Sequence, residues 1–120
     1  MARYMLLALN GPTDGPGDEA EYTQWYDEVH VPAIEAIDGV TSARRFKILR
    51  GKMPGDSLWP YLTVYEIETD NMAAISAQLA KVMEMSTPTL DRSKSAHLMS
   101  VEIEPIEMKS VEIQAVEIEK

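Results

Sequence analysis

From Arg3 to Leu9 the chain is almost continuously apolar, and Asn10-Gly11-Pro12-Thr13-Asp14-Gly15-Pro16-Gly17 ends the run. The first element therefore reads as a strand, apolar on both faces, followed by a loop placed to gate a pocket or simply to connect. Asp18 with Glu21 three residues on has the form of a capping box, and Tyr22, Trp25 or Tyr26, Val29, Ala33 and Ile37 recur at helical spacing. Together they predict a helix over 18–37. Pro32 has no N–H for the Glu28 carbonyl and disfavours helical geometry at Val31, so a kink or break is expected just after His30. Val40 to Leu49 and Tyr61 to Glu68 are rich in β-branched and aromatic residues, and the turn-forming stretch 50–56 between them predicts an antiparallel hairpin. Asp70 is placed to cap a second helix with Met72, Ile75, Leu79 and Met83 on one face, ending before Thr87-Pro88. Ala96 to Ile103 alternates, with His97, Met99, Val101 and Ile103 on a face expected to be internal.

The order strand, helix, strand, strand, helix, strand is that of the split βαβ unit, which predicts an α+β, ferredoxin-like domain over residues 1–104 with a four-stranded antiparallel sheet. Residues 101–110 are echoed by 111–120, both alternating apolar with mostly acidic positions. Residues 105–120 thus form an extension, read either as an extra edge strand or as a frayed tail. Two helices cover only one face of such a sheet, yet the first strand is apolar on both. A second copy of the chain is the simplest cover, so a homodimer is expected.

Composition narrows the picture. With 120 residues, 45% of them apolar, the chain suits one core. Its net charge is −9 and its longest basic tract is Arg44-Arg45, which argues against a nucleic-acid partner. There is no cysteine, so disulfides and thiolate chemistry are excluded; this is compatible with a reducing cytoplasm. The apolar start is too short for a signal sequence, and no stretch approaches the roughly 18 apolar residues of a membrane span, so a soluble cytoplasmic protein is expected.

The segment Trp25-Tyr26-Asp27-Glu28-Val29-His30-Val31-Pro32, followed by Gly39-Val40 and Ser42-Ala43-Arg44-Arg45-Phe46, resembles the dimeric α+β barrel superfamily, and within it the EthD-like family. Ile37-Asp38-Gly39 departs from the Pro-Gly expected before the second strand. The resemblance implies a dimer with facing sheets and a pocket between sheet and helices in each subunit. Relatives include cofactor-free monooxygenases, lactone isomerases, polyketide cyclases and dehydratases, but also haem enzymes and proteins with no known activity, so the likeness does not choose a reaction.

His30 is the first candidate for chemistry, because an imidazole both takes and gives a proton near neutrality. The competing structural role is to cap the Glu28 carbonyl freed by Pro32. Tyr26, one turn earlier, is placed to orient that imidazole or bind a substrate oxygen. Trp25, Tyr61 and Tyr65 are candidate aromatic walls, and His97 a second polar group. Arg44 shares a face with Val40, Ser42, Phe46 and Ile48, so if that face is internal it needs a carboxylate or an anionic ligand group. No metal-ligand spacing, cofactor motif or nucleophile motif is present, so no metal or cofactor is expected. The leading expectation is a cofactor-independent enzyme using His30 as acid/base on a small cyclic or aromatic carbonyl compound, as an isomerase, lyase, dehydratase or cyclase. The alternatives are a cofactor-free monooxygenase of quinol-like substrates, or a non-catalytic dimeric binding protein for a hydrophobic metabolite.

Overall fold

Strand β1 (Ala2–Asn10) pairs on one side with β3 (Tyr61–Thr69) and on the other with β4 (Ala96–Val101), while β2 (Val40–Lys47) adds to the far edge of β3. The computed structural model describes residues 1–53 and 59–103. All pairings are antiparallel and the sheet order is β2-β3-β1-β4, the ferredoxin-like arrangement expected from the element order. The extension 105–120 and part of the connection between β2 and β3 lie outside the described residues.

The first helical region is not the regular helix expected over 18–37. Helix α1 (Asp18–Trp25) runs into a π-helical turn at Tyr26–His30, and α2 (Val31–Glu35) follows. The Val31 N–H donates to the Tyr26 carbonyl, five residues back rather than four. Pro32, in the first turn of α2, offers no N–H to Glu28, and the ladder widens by one residue just ahead of it. The break therefore spans Tyr26–His30 instead of falling after His30. Across the wider turn the inward face steps by four, through Tyr22, Tyr26, His30 and Ile34, all buried, while Val29, expected on that face, is 47% exposed.

Both expected helix caps are corrected. Gly17, at φ 81°, precedes α1, and the Asp18 carboxylate turns back to accept from the Gly15 N–H (2.9 Å) and the Thr13 hydroxyl (2.6 Å). Helix α3 (Met72–Glu84) is capped by Asn71, whose Oδ1 accepts from the Ala74 N–H at 3.2 Å, not by Asp70. Strand β3 runs on to Thr69, and the Thr69 hydroxyl accepts from the Asn71 N–H, which sets the cap one residue later.

The core lies between sheet and helices: Leu6, Ala8, Tyr65 and Ile67 from the strands meet Ile34, Ile37, Ile75 and Leu79. Gly39, at φ 106°, lets β2 begin against this core; a Cβ there would sit 3.1 Å from Ile75 Cδ1 and 3.2 Å from the Glu68 carbonyl oxygen. A bulge between Val40 and Ser42 then reverses the alternation of β2. Ala43 stands opposite Tyr65 and Arg45 opposite Thr63, so Arg45 faces the helices and Arg44 does not. On the other side of the sheet Leu7, Leu9, Leu62 and Val64 continue into Met5, Phe46 and Leu98, which are 39%, 44% and 57% exposed. Among the described residues nothing covers this face.

Because β4 is an edge strand, its residues are less enclosed than expected: Val101 is 54% exposed and His97 is also exposed, while Ile103, 45% exposed, lies past the end of the strand. The loop after β1 is tied down at its start. The Thr13 N–H donates to the Thr89 carbonyl (2.8 Å) and the Asp91 N–H to the Gly11 carbonyl (3.0 Å). Among the described residues no helix is long and apolar enough to cross a membrane.

Candidate functional site

Trp25 and His30 are five residues apart, and on a regular helix of 3.6 residues per turn they would point about 140° away from each other. The π-helical turn removes that offset. The two rings stack with centroids 4.5 Å apart and planes inclined by 21°. Tyr26 meets both edge-on, 5.1 Å from Trp25 and 5.0 Å from His30. His30 is only 4% exposed, and its ring makes no hydrogen bond among the described residues, so the Glu28 carbonyl is not its partner. Burial, with a smaller repulsion from His97, lowers its pKa from 6.5 to about 4. The imidazole is therefore neutral at pH 7. It can accept a proton through one nitrogen and donate a hydrogen bond through the other, but it is not a reservoir of acid there.

These rings open on a cavity of about 500 Å³ between the helical layer and the β1–β4 side of the sheet. Leu6 and Asn10 reach it from β1, Leu79 and Met83 from α3, His97 and Met99 from β4, and Arg92 and Ser95 from the turn before β4. Such a volume and mostly apolar wall suit a ring-sized organic molecule. A second hollow of about 340 Å³, around Met5, Glu66 and Ser100, carries no histidine.

Asn10 is 3% exposed and holds the phenols of the helical layer. Its Nδ2 donates to the Tyr26 hydroxyl at 2.6 Å, and its Oδ1 accepts from the Tyr22 hydroxyl. The Tyr26 oxygen is thus oriented by Asn10 and does not bond His30 as expected. Burial raises the Tyr26 pKa, so the phenol stays protonated and keeps a hydroxyl proton to donate. Beside it lies the Arg45 guanidinium, 4.6 Å from the Tyr26 ring centre, 5.0 Å from that of Tyr61 and 5.4 Å from that of Tyr22, and 3.1 Å from Asp27 Oδ1. This cation packs on ring faces, and its Nε and Nη2 find no hydrogen-bond acceptor among the described residues.

The structure brings together four of the seven expected site residues, His30, Tyr26, Trp25 and His97. The other three stand elsewhere. The Arg44 side chain is 62% exposed and 3.6 Å from Glu66, because the bulge turns it outward. Tyr61 donates to Glu19 Oε1 at 2.5 Å, outside the cavity. Tyr65 is fully buried in the core, its hydroxyl without a hydrogen-bond partner among the described residues, and does not reach the cavity. Asn10, Arg45 and Arg92 were missed. Asn10 reads as a loop residue in the sequence, although it ends an apolar strand with a buried amide. Among the described residues no cluster of three or more His, Asp or Glu could hold a metal ion.

No family model matches the chain, and no curated protein does. Solved structures do match its fold. An ethyl tert-butyl ether D (EthD) family protein from Bacillus halodurans aligns with a TM-score of 0.56 at 14% identity, over 86% of this chain and 100% of the other. A DABB family protein with a ferredoxin-like fold from Mesorhizobium loti gives 0.59 at 14%, over 87% and 100%. A dimeric ferredoxin-like protein of unknown function from Thermobifida fusca gives 0.54 at 14%, over 84% and 92%. The chain has the ferredoxin-like α+β fold of these proteins, and the resemblance to the EthD-like group extends to the fold as a whole.

Proposed function

We propose that the chain is a cofactor-independent enzyme that moves a proton on a small cyclic or aromatic carbonyl compound, with His30 as the base. One observation carries this reading: a buried imidazole, free of hydrogen bonds among the described residues, stacks on Trp25 at the wall of a cavity of about 500 Å³. A histidine that serves packing alone would normally have a ring nitrogen satisfied by the protein. Neutral at pH 7, His30 has the free lone pair a base needs, and its low basicity in the buried site suits it to a substrate whose C–H or O–H is itself acidified by the neighbouring carbonyl. The Tyr26 hydroxyl, set by Asn10, and the spare Asn10 N–H are the donors nearest at hand for the oxygen that gains charge. Isomerisation, dehydration, cyclisation and lyase chemistry share this step.

The exposed apolar side of the sheet supports a homodimer, as does the dimeric state of the Thermobifida fusca relative. Light scattering at micromolar concentration should give twice the chain mass; a monomer would refute this.

A thermal-shift screen with lactones, quinols, phenolic aldehydes and polyketide-like aromatics, followed by turnover of each hit, tests the enzyme. A ligand at about 100 times its Kd adds roughly 2.7 kcal/mol and moves the melting point by several degrees. Turnover without oxygen uptake, reduced about 100-fold or more in His30→Gln while binding persists, is the expected result. Equal turnover by both proteins removes His30 from the mechanism. Turnover that consumes oxygen identifies a monooxygenase, and binding without turnover a carrier.

A further inference from the structure

The chain carries 20 acidic against 11 basic residues, yet among the described residues no Asp or Glu lines the cavity beside His30. Among the described residues its one fully charged lining group is Arg92, in the short 3₁₀ turn Arg92–Lys94 that leads into β4. Arg92 lies within ion-pair distance of no carboxylate among the described residues. The adjacent carboxylate, Asp91, is engaged in its own turn, accepting from the Ser93 N–H at 3.1 Å and the Ser93 hydroxyl at 2.6 Å. Ser95 and His97, next along the chain, bring further hydrogen-bonding groups to the same side. Leu79 and Met83 from α3 and Met99 from β4 add apolar wall.

In a strongly acidic protein, a cavity without carboxylates that keeps one unpaired guanidinium is complementary to an anion. We propose that it takes a small molecule with an apolar ring body and one carboxylate, and that Arg92 selects for that carboxylate. This rests on reading the cavity as the ligand site. The body packs against Leu79, Met83 and Trp25 while the carboxylate stays at the rim, partly hydrated, on Arg92. A planar fork of N–H donors suits a carboxylate, and its rim position limits the gain to about two- to fivefold.

Calorimetric titration with 2-naphthoate and its neutral counterpart 2-naphthalenemethanol, at about 0.15 M salt to damp the long-range field of the −9 charge, tests this. The wild-type chain should bind naphthoate about two- to fivefold more tightly than the alcohol. Arg92→Gln should bring the ratio to about one with the alcohol unchanged, while Lys94→Gln, a nearby cation that does not line the cavity, should leave it intact. Equal binding of the two probes, a preference that survives in Arg92→Gln, or an equal loss in Lys94→Gln overturns the role of Arg92 but leaves the ligand site standing. If neither probe binds the wild type, both the selection and the site are refuted.

Discussion

Protonation of His30 should make this protein sensitive to mild acid in a way that a single substitution abolishes. The ring's pKa falls from 6.5 to about 4 on folding, mainly because it is buried. Between those values the unfolded chain holds a proton that the folded chain has released, so stability rises with pH across this window and is flat above it. At about 1.36 kcal/mol per pKa unit the whole span is worth about 3 kcal/mol, of which about 2 kcal/mol is lost between pH 7 and pH 5. In urea, with a slope of about 1.5 kcal/mol/M for a domain of this size, the midpoint should move down by about 1 M over that interval. His30→Phe keeps a flat ring against Trp25 and removes the titration. The variant serves as the reference for every other group that titrates over this interval, so the quantity to compare is the wild-type loss minus the variant loss, at one protein concentration. A difference near 2 kcal/mol confirms the buried neutral imidazole. Equal losses, or a ring resonance that titrates near 6.5, would refute the burial argument and with it the neutral base.

Three further outcomes follow from buried polar groups and backbone. Asn10→Ala strands the Tyr22 and Tyr26 hydroxyls and should cost about 2–4 kcal/mol in chemical denaturation; a loss below about 1 kcal/mol would mean that water replaces the amide. Tyr65→Phe removes a buried hydroxyl with no partner and should be neutral or stabilising by up to about 1 kcal/mol, raising the melting point, whereas a clear fall would reveal a bonded hydroxyl. Gly39→Ala combines a positive φ with contacts of 3.1 Å and 3.2 Å and should destabilise by about 1–3 kcal/mol; an unchanged urea midpoint would contradict the close approach of β2 to Ile75.

The fold was readable because its signals are summed over many residues: the apolar run of β1, the alternation of β3 and the spacing of α3 each average out local exceptions. The site depends on single-residue shifts, and these do not announce themselves. At Pro32 the missing N–H was visible, but the widened turn upstream, which trades Val29 for His30 on the buried face, was not. On β2 one extra residue at the bulge exchanged Arg44 for Arg45, since a slip of one reverses every side chain of a strand. Tyr61 and Tyr65 were placed on the correct strand face, yet that face is longer than the cavity. His30 and Tyr26 were legible together because they lie about one turn apart, Trp25 because it adjoins Tyr26 in the sequence, and His97 because alternation put it on the helix side of β4.

Strand β4 belongs to two surfaces at once. Its His97 and Met99 are wall to the cavity, while Leu98 between them points to the uncovered side of the sheet. No second layer separates the two, so whatever packs on Leu98 bears directly on the backbone that positions His97. Filling the cavity and covering the sheet are therefore thermodynamically linked: if occupancy of one side tightens the strand, the other side must gain affinity by the same factor. If a second copy covers this side of the sheet and a ligand fills the cavity, the strength of association between copies would report on the ligand without any reaction being followed.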